Sequence, residues 1–373
     1  MRTRVSDLLG VEYPILAFSH CRDVVAAVTN AGGFGVLGAT FHTPEQLDID
    51  MTWIDGQVKG RPYGVDLLFP TLSSDVSGAG ARLDELVPAK HRAFVNDLLE
   101  QYGVPPLPDS ESEQGEPHPG LGMASYEPLY DVAFDQHHVR LIASALGSPP
   151  PGLVERAHES YAVVAALAGL PVHAERHKAG GVDLIVAQGT EAGGHTGEVS
   201  TMVLVPQVVD AVAPTPVLAA GGIANGRQIA AAMALGAEGV WCGSVWLTTE
   251  EAETHPAVKE KFLSASSRDT VRSKSLTGKP ARMLRSAWTE EWEKPEAPAT
   301  LGMPLQGLLI AEAQARIRRS ANREDSGAWQ LANYFVGQVV GQLDRVRTTR
   351  QVMLDMVNEY ADAAGRIAEQ LGG

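Results

Sequence analysis

The chain has 373 residues, enough to bury a large core as one big domain with attachments or as two domains. Its 44% hydrophobic and 20% charged residues are those of an ordinary globular protein. A formal net charge of −15 opposes non-specific binding to nucleic acid or anionic lipid, but it leaves room for a small anionic ligand at glycine loops and helix N-termini.

The two cysteines, Cys21 and Cys242, form neither a disulfide framework nor a metal-ligand spacing, so no metal is expected. Their scarcity suits a reducing cytoplasm. The opening MRTRVSDLLGVEYPIL (1–16) lacks the apolar run and cleavage site of a secretory signal, and no apolar run reaches the length of a membrane span.

From residue 14 to about 250, short β-rich runs alternate with helical ones. PILAFSH (14–20) reads as a strand and DVVAAVTNAGG (23–33) as a helix closing on glycine. GVLGA (35–39) is the second strand, followed by a helix over 43–58 with Thr43 as N-cap and Pro44 at its first position. YGVDLLF (63–69) is the third. Residues 71–138 interrupt the pattern with a helix at about 82–102 and a stretch, 104–122, rich in proline, acid, serine and glycine. Such a composition cannot offset its own ordering entropy, so a mobile excursion is expected there.

The alternation then resumes. Strands are expected at VRLIASAL (139–146), AVVAALA (162–168), VDLIVAQG (182–189), PVLAAGGI (216–223) and GVWCGSVWL (239–247), and helices over 151–161, 172–181, 202–212 and 226–237. Apolar runs without clean alternation indicate strands covered on both faces, hence parallel. Eight such units, with no GxGxxG after the first strand, predict a closed (β/α)8 TIM barrel over 1–250 with an insertion after strand 3. Residues 251–373 read as a mainly helical C-terminal region packed on the barrel, with a basic segment at 266–288 and two strong helices near 327–344 and 347–371.

In this fold the chemistry sits at the C-terminal ends of the strands, and a phosphate commonly binds after strands seven and eight. There the chain carries AAGGIANGR (219–227) and CGSVW (242–246). Gly221, Gly222, Gly243 and Ser244 can form a nest for a phosphate monoester, with Asn225 as N-cap; the alternative is that the glycines only permit tight packing. After strand six, AQGTEAGGHTGEVS (187–200) places Gln188 at the strand end, where its amide can meet a heterocycle edge. Gly193 and Gly194 allow close passage of the backbone past a flat ring, and His195 follows as a proton-transfer group. A lone loop histidine can equally be solvated or structural, but its place on this rim favours function.

QGTEAGGHTG (188–197), AAGGIANGRQIAAAMALGAEGVWCGS (219–244) and NAGGFGVLGA (30–39), supported by YGVDLLFP (63–70) and YFVGQVVG (334–341), resemble the nitronate monooxygenase family of FMN-dependent barrels. The resemblance covers most of 10–250 and implies FMN as cofactor. It implies Gln188 and Gly193 in contact with the flavin, Gly221, Gly222, Gly243 and Ser244 on its phosphate, and His195 as catalytic base. Three positions depart from the family. AFSHCRD (17–23) brings His20 and Cys21 to the rim as candidate substrate residues, Asp66 stands where the family has Asn, and Trp241-Cys242 replaces Gln-Met. The resemblance puts Asp66, Trp241 and Cys242 beside the flavin, with Asp66 protonated, turned away or tuning the potential downward.

The expected activity is oxidation of an alkyl nitronate or related small molecule with O2, giving a carbonyl compound and nitrite. An FMN-dependent NAD(P)H reductase or acyl-CoA-type dehydrogenase is the enzyme alternative, favoured by the basic residues at 268–285. A non-catalytic phosphate-ligand-binding barrel is the third reading, and a homodimer stays open.

Overall fold

The computed structural model describes residues 1–40, 42–67, 69, 83, 85–108, 127–135, 137 and 139–370. Most of the excursion expected at 104–122, and the start of the helix expected at 82–102, lie outside the described residues.

Eleven strands follow in chain order: β1 (Ile15–Ser19), β2 (Phe34–Gly38), β3 (Tyr63–Leu67), β4 (Val139–Ser144), β5 (Val163–Ala168), β6 (Leu184–Gln188), β7 (Gly194–His195), β8 (Val217–Ala220), β9 (Val240–Cys242), β10 (Thr270–Ser273) and β11 (Ala281–Leu284). Eight of them, in the order β1-β2-β3-β4-β5-β6-β8-β9, form a closed parallel barrel, and β9 returns to β1 through the pairs Ile15↔Val240, Leu16↔Trp241 and Ala17↔Cys242. The architecture is the expected TIM barrel, and every expected barrel strand overlaps an observed one.

Alternation along each strand divides its residues between two cores. Leu16, Phe34, Val36, Leu141, Ala143, Val163, Ala165, Leu184, Val186, Leu218, Ala220 and Trp241 fill the barrel interior. Their neighbours, such as Ala17, Val65, Ile142, Val164, Ile185, Ala219 and Cys242, pack outward against the helices. Burial on both faces is why these strands read as continuous apolar runs.

The short helix Arg4–Leu9 inserts Val5 and Leu9 into the interior cluster. It is fixed by Thr3 Oγ1 donating to Glu238 O at 2.7 Å and by Arg4 on the Glu238 carboxylate. Arg140 Nη2 also donates to Leu8 O, at 3.1 Å. All three contacts lie beside strand starts, so this helix plugs the N-terminal end and leaves the other end for ligands.

Between strands the helices carry their expected caps. Thr43 and Gln46 form a capping box ahead of Pro44–Val58, and Asn225 and Gln228 form another ahead of Gly226–Ala234. No helix among the described residues is long and apolar enough to cross a membrane.

Beyond residue 250 the chain departs from the expectation in two places. The basic segment contains two antiparallel strands, β10 and β11, and β11 pairs in turn with β7 in the loop after β6. The helix expected over 327–344 is instead a short helix, Gly327–Leu331, an isolated bridge from Phe335 to Met283, and a 3-10 turn, Gln338–Gln342. Gly337 breaks the pattern because a β-carbon there would lie 2.5 Å from Glu191 O. The helix Thr349–Gln370 forms as expected and packs against Gly226–Ala234 and Arg22–Asn30.

That last contact yields a stability test. A β-carbon at Gly226 would lie 2.1 Å from Tyr360 N and 2.3 Å from Met356 O, both backbone atoms of the C-terminal helix. Gly226→Ala is therefore expected to displace that helix and lose about 1–3 kcal/mol of stability. Thermal unfolding should show a lower Tm; an unchanged Tm would mean that the two helices are not in this contact.

Candidate active site

Two glycine-bearing turns stand side by side where β8 and β9 end. Gly221 and Gly222 both have positive φ, +93° and +74°. This conformation is open to glycine and strained for most other residues. A β-carbon on Gly221 would press on Ala192 N and Gly189 O at 3.0 Å, so the turn is fitted against the loop from β6. At Gly222 the nearest atom would be Glu191 Cβ at 3.6 Å, and at Gly243 it would be Phe18 Cδ1 at 3.8 Å. These two positions leave the open side of a cradle.

The N–H groups of Gly222 and Ile223 donate to no acceptor among the described residues. Behind them starts the capped helix Gly226–Ala234. Free amides at a helix start, with room in front of them, suit a phosphate. Ser244 Oγ accepts the N–H of Gly337 at 2.8 Å, which leaves its own O–H to donate.

The loop after β6 is held from three sides. Gln188 is half-buried at the end of β6, opposite Ala220, and shares the interior face with Leu184 and Val186. Glu191 accepts from Thr201 N and Thr201 Oγ1, both at 2.9 Å, and so caps the helix Thr201–Val212. At Gly193 a β-carbon would meet Val336 C at 2.8 Å and Gly337 N at 2.9 Å, so the close approach seen there is to the backbone of the C-terminal segment. Gly194 then lies opposite Arg282, and His195 opposite Ala281.

His195 is half-buried, its ring centroid 6.4 Å from that of Phe335. Its Nδ1 lies 3.2 Å from Pro280 O. A carbonyl can only accept, so Nδ1 carries the hydrogen and Nε2 keeps its lone pair. Burial lowers the pKa of this imidazole, the Pro280 carbonyl acts in the opposite direction, and Lys279 adds to the lowering. At neutral pH the ring is uncharged and Nε2 can take a proton.

The other side of the mouth is less polar. Trp241 lies in the interior cluster with its ring stacked on Phe18, at 6.2 Å and 22°. His20 packs edge-on against Phe18 at 5.1 Å and its Nδ1 donates to Gly38 O at 2.7 Å; burial lowers its pKa. Asp66 faces the interior from β3 with 1% exposure, and neither carboxylate oxygen has a hydrogen-bond partner among the described residues.

Two expected residues turn away from this mouth. Cys21 starts the helix Arg22–Asn30, and its thiol donates to Glu251 O at 3.1 Å, so it leaves the candidate substrate set while His20 stays. Cys242 faces the helix layer and only its backbone reaches the rim; burial pushes its thiol up to about 12. The cause in Cys242 is strand alternation, since Trp241 points inward.

Several residues at the site had no reading as site residues. Pro280 orients the histidine, and Phe335 and Gly337 bring the C-terminal segment against the loop. Arg282 Nε donates to Thr190 O at 2.8 Å, and Arg272 Nη2 to Thr196 O at 3.3 Å. The two arginines, which belong to the basic residues at 268–285 that favoured the reductase or dehydrogenase alternative, hold the two limbs of the loop. YFVGQVVG, with a glycine inside an otherwise β-rich run, was the one local signal of this contact.

Comparison with known proteins agrees with this geometry. The family model for nitronate monooxygenase matches residues 2–359. A Mycobacterium tuberculosis protein named as a monooxygenase, Rv1533, is 63% identical over 370 residues, which is 98% of each chain. A Staphylococcus aureus protein named as a nitronate monooxygenase is 28% identical over 369 residues, 92% of this chain and 98% of that one.

Among solved structures, FabK from Thermotoga maritima matches with a TM-score of 0.72 at 27% identity, covering 99% of both chains. The nitroalkane oxidase from Streptomyces ansochromogenes matches with a TM-score of 0.79 at 24% identity, covering 97% of this chain and 99% of that one; at this identity the likeness speaks for the fold. With the family model matching residues 2–359 and the glycine turns and histidine loop assembled on one rim, the chain belongs to the nitronate monooxygenase family and is an oxidoreductase.

Proposed function

We propose that this protein is an FMN-dependent oxidoreductase that uses O2 to oxidise a small alkyl nitronate, or a related compound, to a carbonyl compound and nitrite. The observation that carries the reading is His195, with Nδ1–H on Pro280 O and Nε2 left as acceptor beside a glycine cradle. Family membership supports a flavin. The cradle supports FMN in particular, because its free amides and capped helix suit a single phosphate.

Gly221, Gly222, Gly243 and Ser244 would hold that phosphate. Gln188, Gly193, Gly194 and Trp241 would line the ring. FMN bound there supplies a two-electron acceptor that O2 can reoxidise.

The chain's own part is proton management and positioning. His195 Nε2 takes the α-proton of a neutral nitroalkane, a step that a nitronate has already completed. The pairing of β7 with β11 keeps the ring in place, and Phe18 and Trp241 keep water from the opposite wall.

The alternative of an NAD(P)H reductase or acyl-CoA-type dehydrogenase, favoured by the basic residues at 268–285, keeps only part of that support. Arg272 and Arg282 bond to Thr196 O and Thr190 O instead of standing free for an anion. Anaerobic mixing of the yellow protein with nitronate, NADH or NADPH separates the readings: bleaching by nitronate supports this one, and bleaching by a nicotinamide alone overturns it.

Two substitutions test the site. Gly222→Asp puts a carboxylate where the phosphate is expected, at a position with space for a β-carbon and a backbone that Asp tolerates better than most. The variant should fold, by circular dichroism, and purify without flavin; full flavin occupancy would refute the phosphate site.

His195→Asn should keep FMN and lose roughly two to four orders of magnitude in flavin reduction by neutral nitroalkanes, with a much smaller loss for the nitronate. The lowered imidazole pKa means that the base remains active as pH falls to about 6.5, the ordinary histidine value, and is lost only below it. In wild type, kcat/KM for a neutral nitroalkane should fall on that acid limb, and the variant should lack the limb. Equal losses with both substrates would make His195 a substrate-orienting group.

A further inference from the structure

Asp66 is the fourth residue of β3, and alternation places it on the same face as Gly64. That face is the barrel interior, because a β-carbon on Gly64 would meet the side chains of Leu141 and Phe34 at 3.0 Å. Its partners on the flanking strands are Gly38 and Ala143, which offer no polar side chain. The backbone is fixed by Ala39 N–H donating to Asp66 O at 2.9 Å. Both carboxylate oxygens are buried, and among the described residues neither has a hydrogen-bond partner or an ion pair.

A buried polar group of this kind lacks what nearly all such groups have, a partner. The titratable side chains on this side of the mouth do not supply one. His20 commits Nδ1–H to Gly38 O, and His42 turns Nε2 to Asp50. Among the described residues no charged group acts on Asp66, and burial drives its carboxyl well above the usual range. An isolated carboxylate in such a place is strongly disfavoured, so the group is the neutral acid. A neutral acid presents one O–H donor beside one C=O acceptor, whereas a carboxylate only accepts.

We propose that Asp66 is a protonated carboxyl that pairs through both its O–H and its C=O with the edge of the bound heterocycle, so that cofactor binding carries one proton with it. This rests on the flavin reading given above. The bound ring supplies the missing partner and holds the acid in its protonated form. Raising the pH ionises Asp66 in the free protein, removes its donor and so weakens binding. The sign is fixed: affinity is full on the acid side and falls by up to tenfold per pH unit above the carboxyl pKa of the free protein.

The test follows flavin release from diluted holoenzyme by flavin fluorescence, from pH 5 to 10, for wild type, Asp66→Asn and Asp66→Ala, with circular dichroism as the fold control. Calorimetry of FMN rebinding in buffers of different ionisation enthalpy counts the protons taken up. Wild type should lose affinity as pH rises and take up as much as one proton per flavin. Asp66→Asn keeps a donor beside an acceptor in the same shape, so it should bind with the acid-limb affinity at every pH and with less proton uptake than wild type. Asp66→Ala should bind more weakly throughout.

Any alkaline loss arising from His20 or His42 would persist in Asp66→Asn. An identical pH dependence in wild type and Asp66→Asn therefore overturns the proposal, as does equal binding by Asn and Ala. A folded wild type that binds no flavin at any pH would defeat the cofactor reading itself, which is a different outcome from binding without the Asp66 dependence.

Discussion

The carboxylate of Glu191 accepts hydrogen bonds from both the backbone N–H and the hydroxyl of Thr201, at 2.9 Å each, while its backbone carbonyl takes the N–H of Gln338, also at 2.9 Å. One residue thus ties the loop after β6 to the helix that follows it and to the C-terminal segment. Beside it, Gly337 N–H reaches Ser244 Oγ, which belongs to the turn after β9. The turns after β6 and β9 are therefore linked through a stretch more than a hundred residues downstream of the loop. Space enforces the arrangement as much as bonding does. A β-carbon at Gly337 would lie 2.5 Å from Glu191 O, and one at Gly189 would lie 2.1 Å from Thr201 Oγ1.

The β10–β11 pair completes the support from the other side. Arg272 and Arg282 face each other across the two strands, a juxtaposition that like charges ordinarily oppose. It is tolerable here because each guanidinium donates to a loop carbonyl, Thr196 O or Thr190 O. Glu198 also stands 3.6 Å from Arg272 Nη1. Burial and Arg272 lower the pKa of Arg282, and Glu191 acts against them. His195 and Ala281, the next pair in register, project to the opposite face of this small sheet. The arginines therefore brace the loop from behind while the histidine faces the mouth.

How much of this the sequence revealed depended on the range of the interactions. The barrel strands were legible because strands covered on both faces have no solvent side to break their apolar runs. The helix starts were legible because Thr43-Gln46 and Asn225-Gln228 are local bonds. Glycines at 193 and 221 stood out in positions where a β-carbon would press on neighbouring backbone, and Gly222 in one whose positive φ favours glycine. By contrast, β10 and β11 were hidden, since their pairing with β7 is a contact between distant parts of the chain that neither segment announces alone. The break at Gly337 was hidden for the same reason. The inward or outward facing of Cys242 could have been read from period-two alternation, given Trp241 inward, and Asp66 follows the same rule from Gly64.

Burial acts on the titratable groups of the mouth in a single sense. It lowers the pKa of His20 and His195 and raises that of Asp66, so each is pushed toward its uncharged form. Burial thus works against charge on each of these three side chains, in a chain that is strongly acidic overall. With Phe18 and Trp241 forming one wall, the medium at the mouth is poorer than water at solvating an anion. A nitronate entering it exchanges hydration for the few oriented groups that the fold holds ready, namely loop amides and the histidine ring. Under the proposed function, such a site favours giving up the anion's electrons over keeping its charge. The same burial leaves the imidazole uncharged and able to accept a proton, while Asp66, under the proposal above, is the neutral acid.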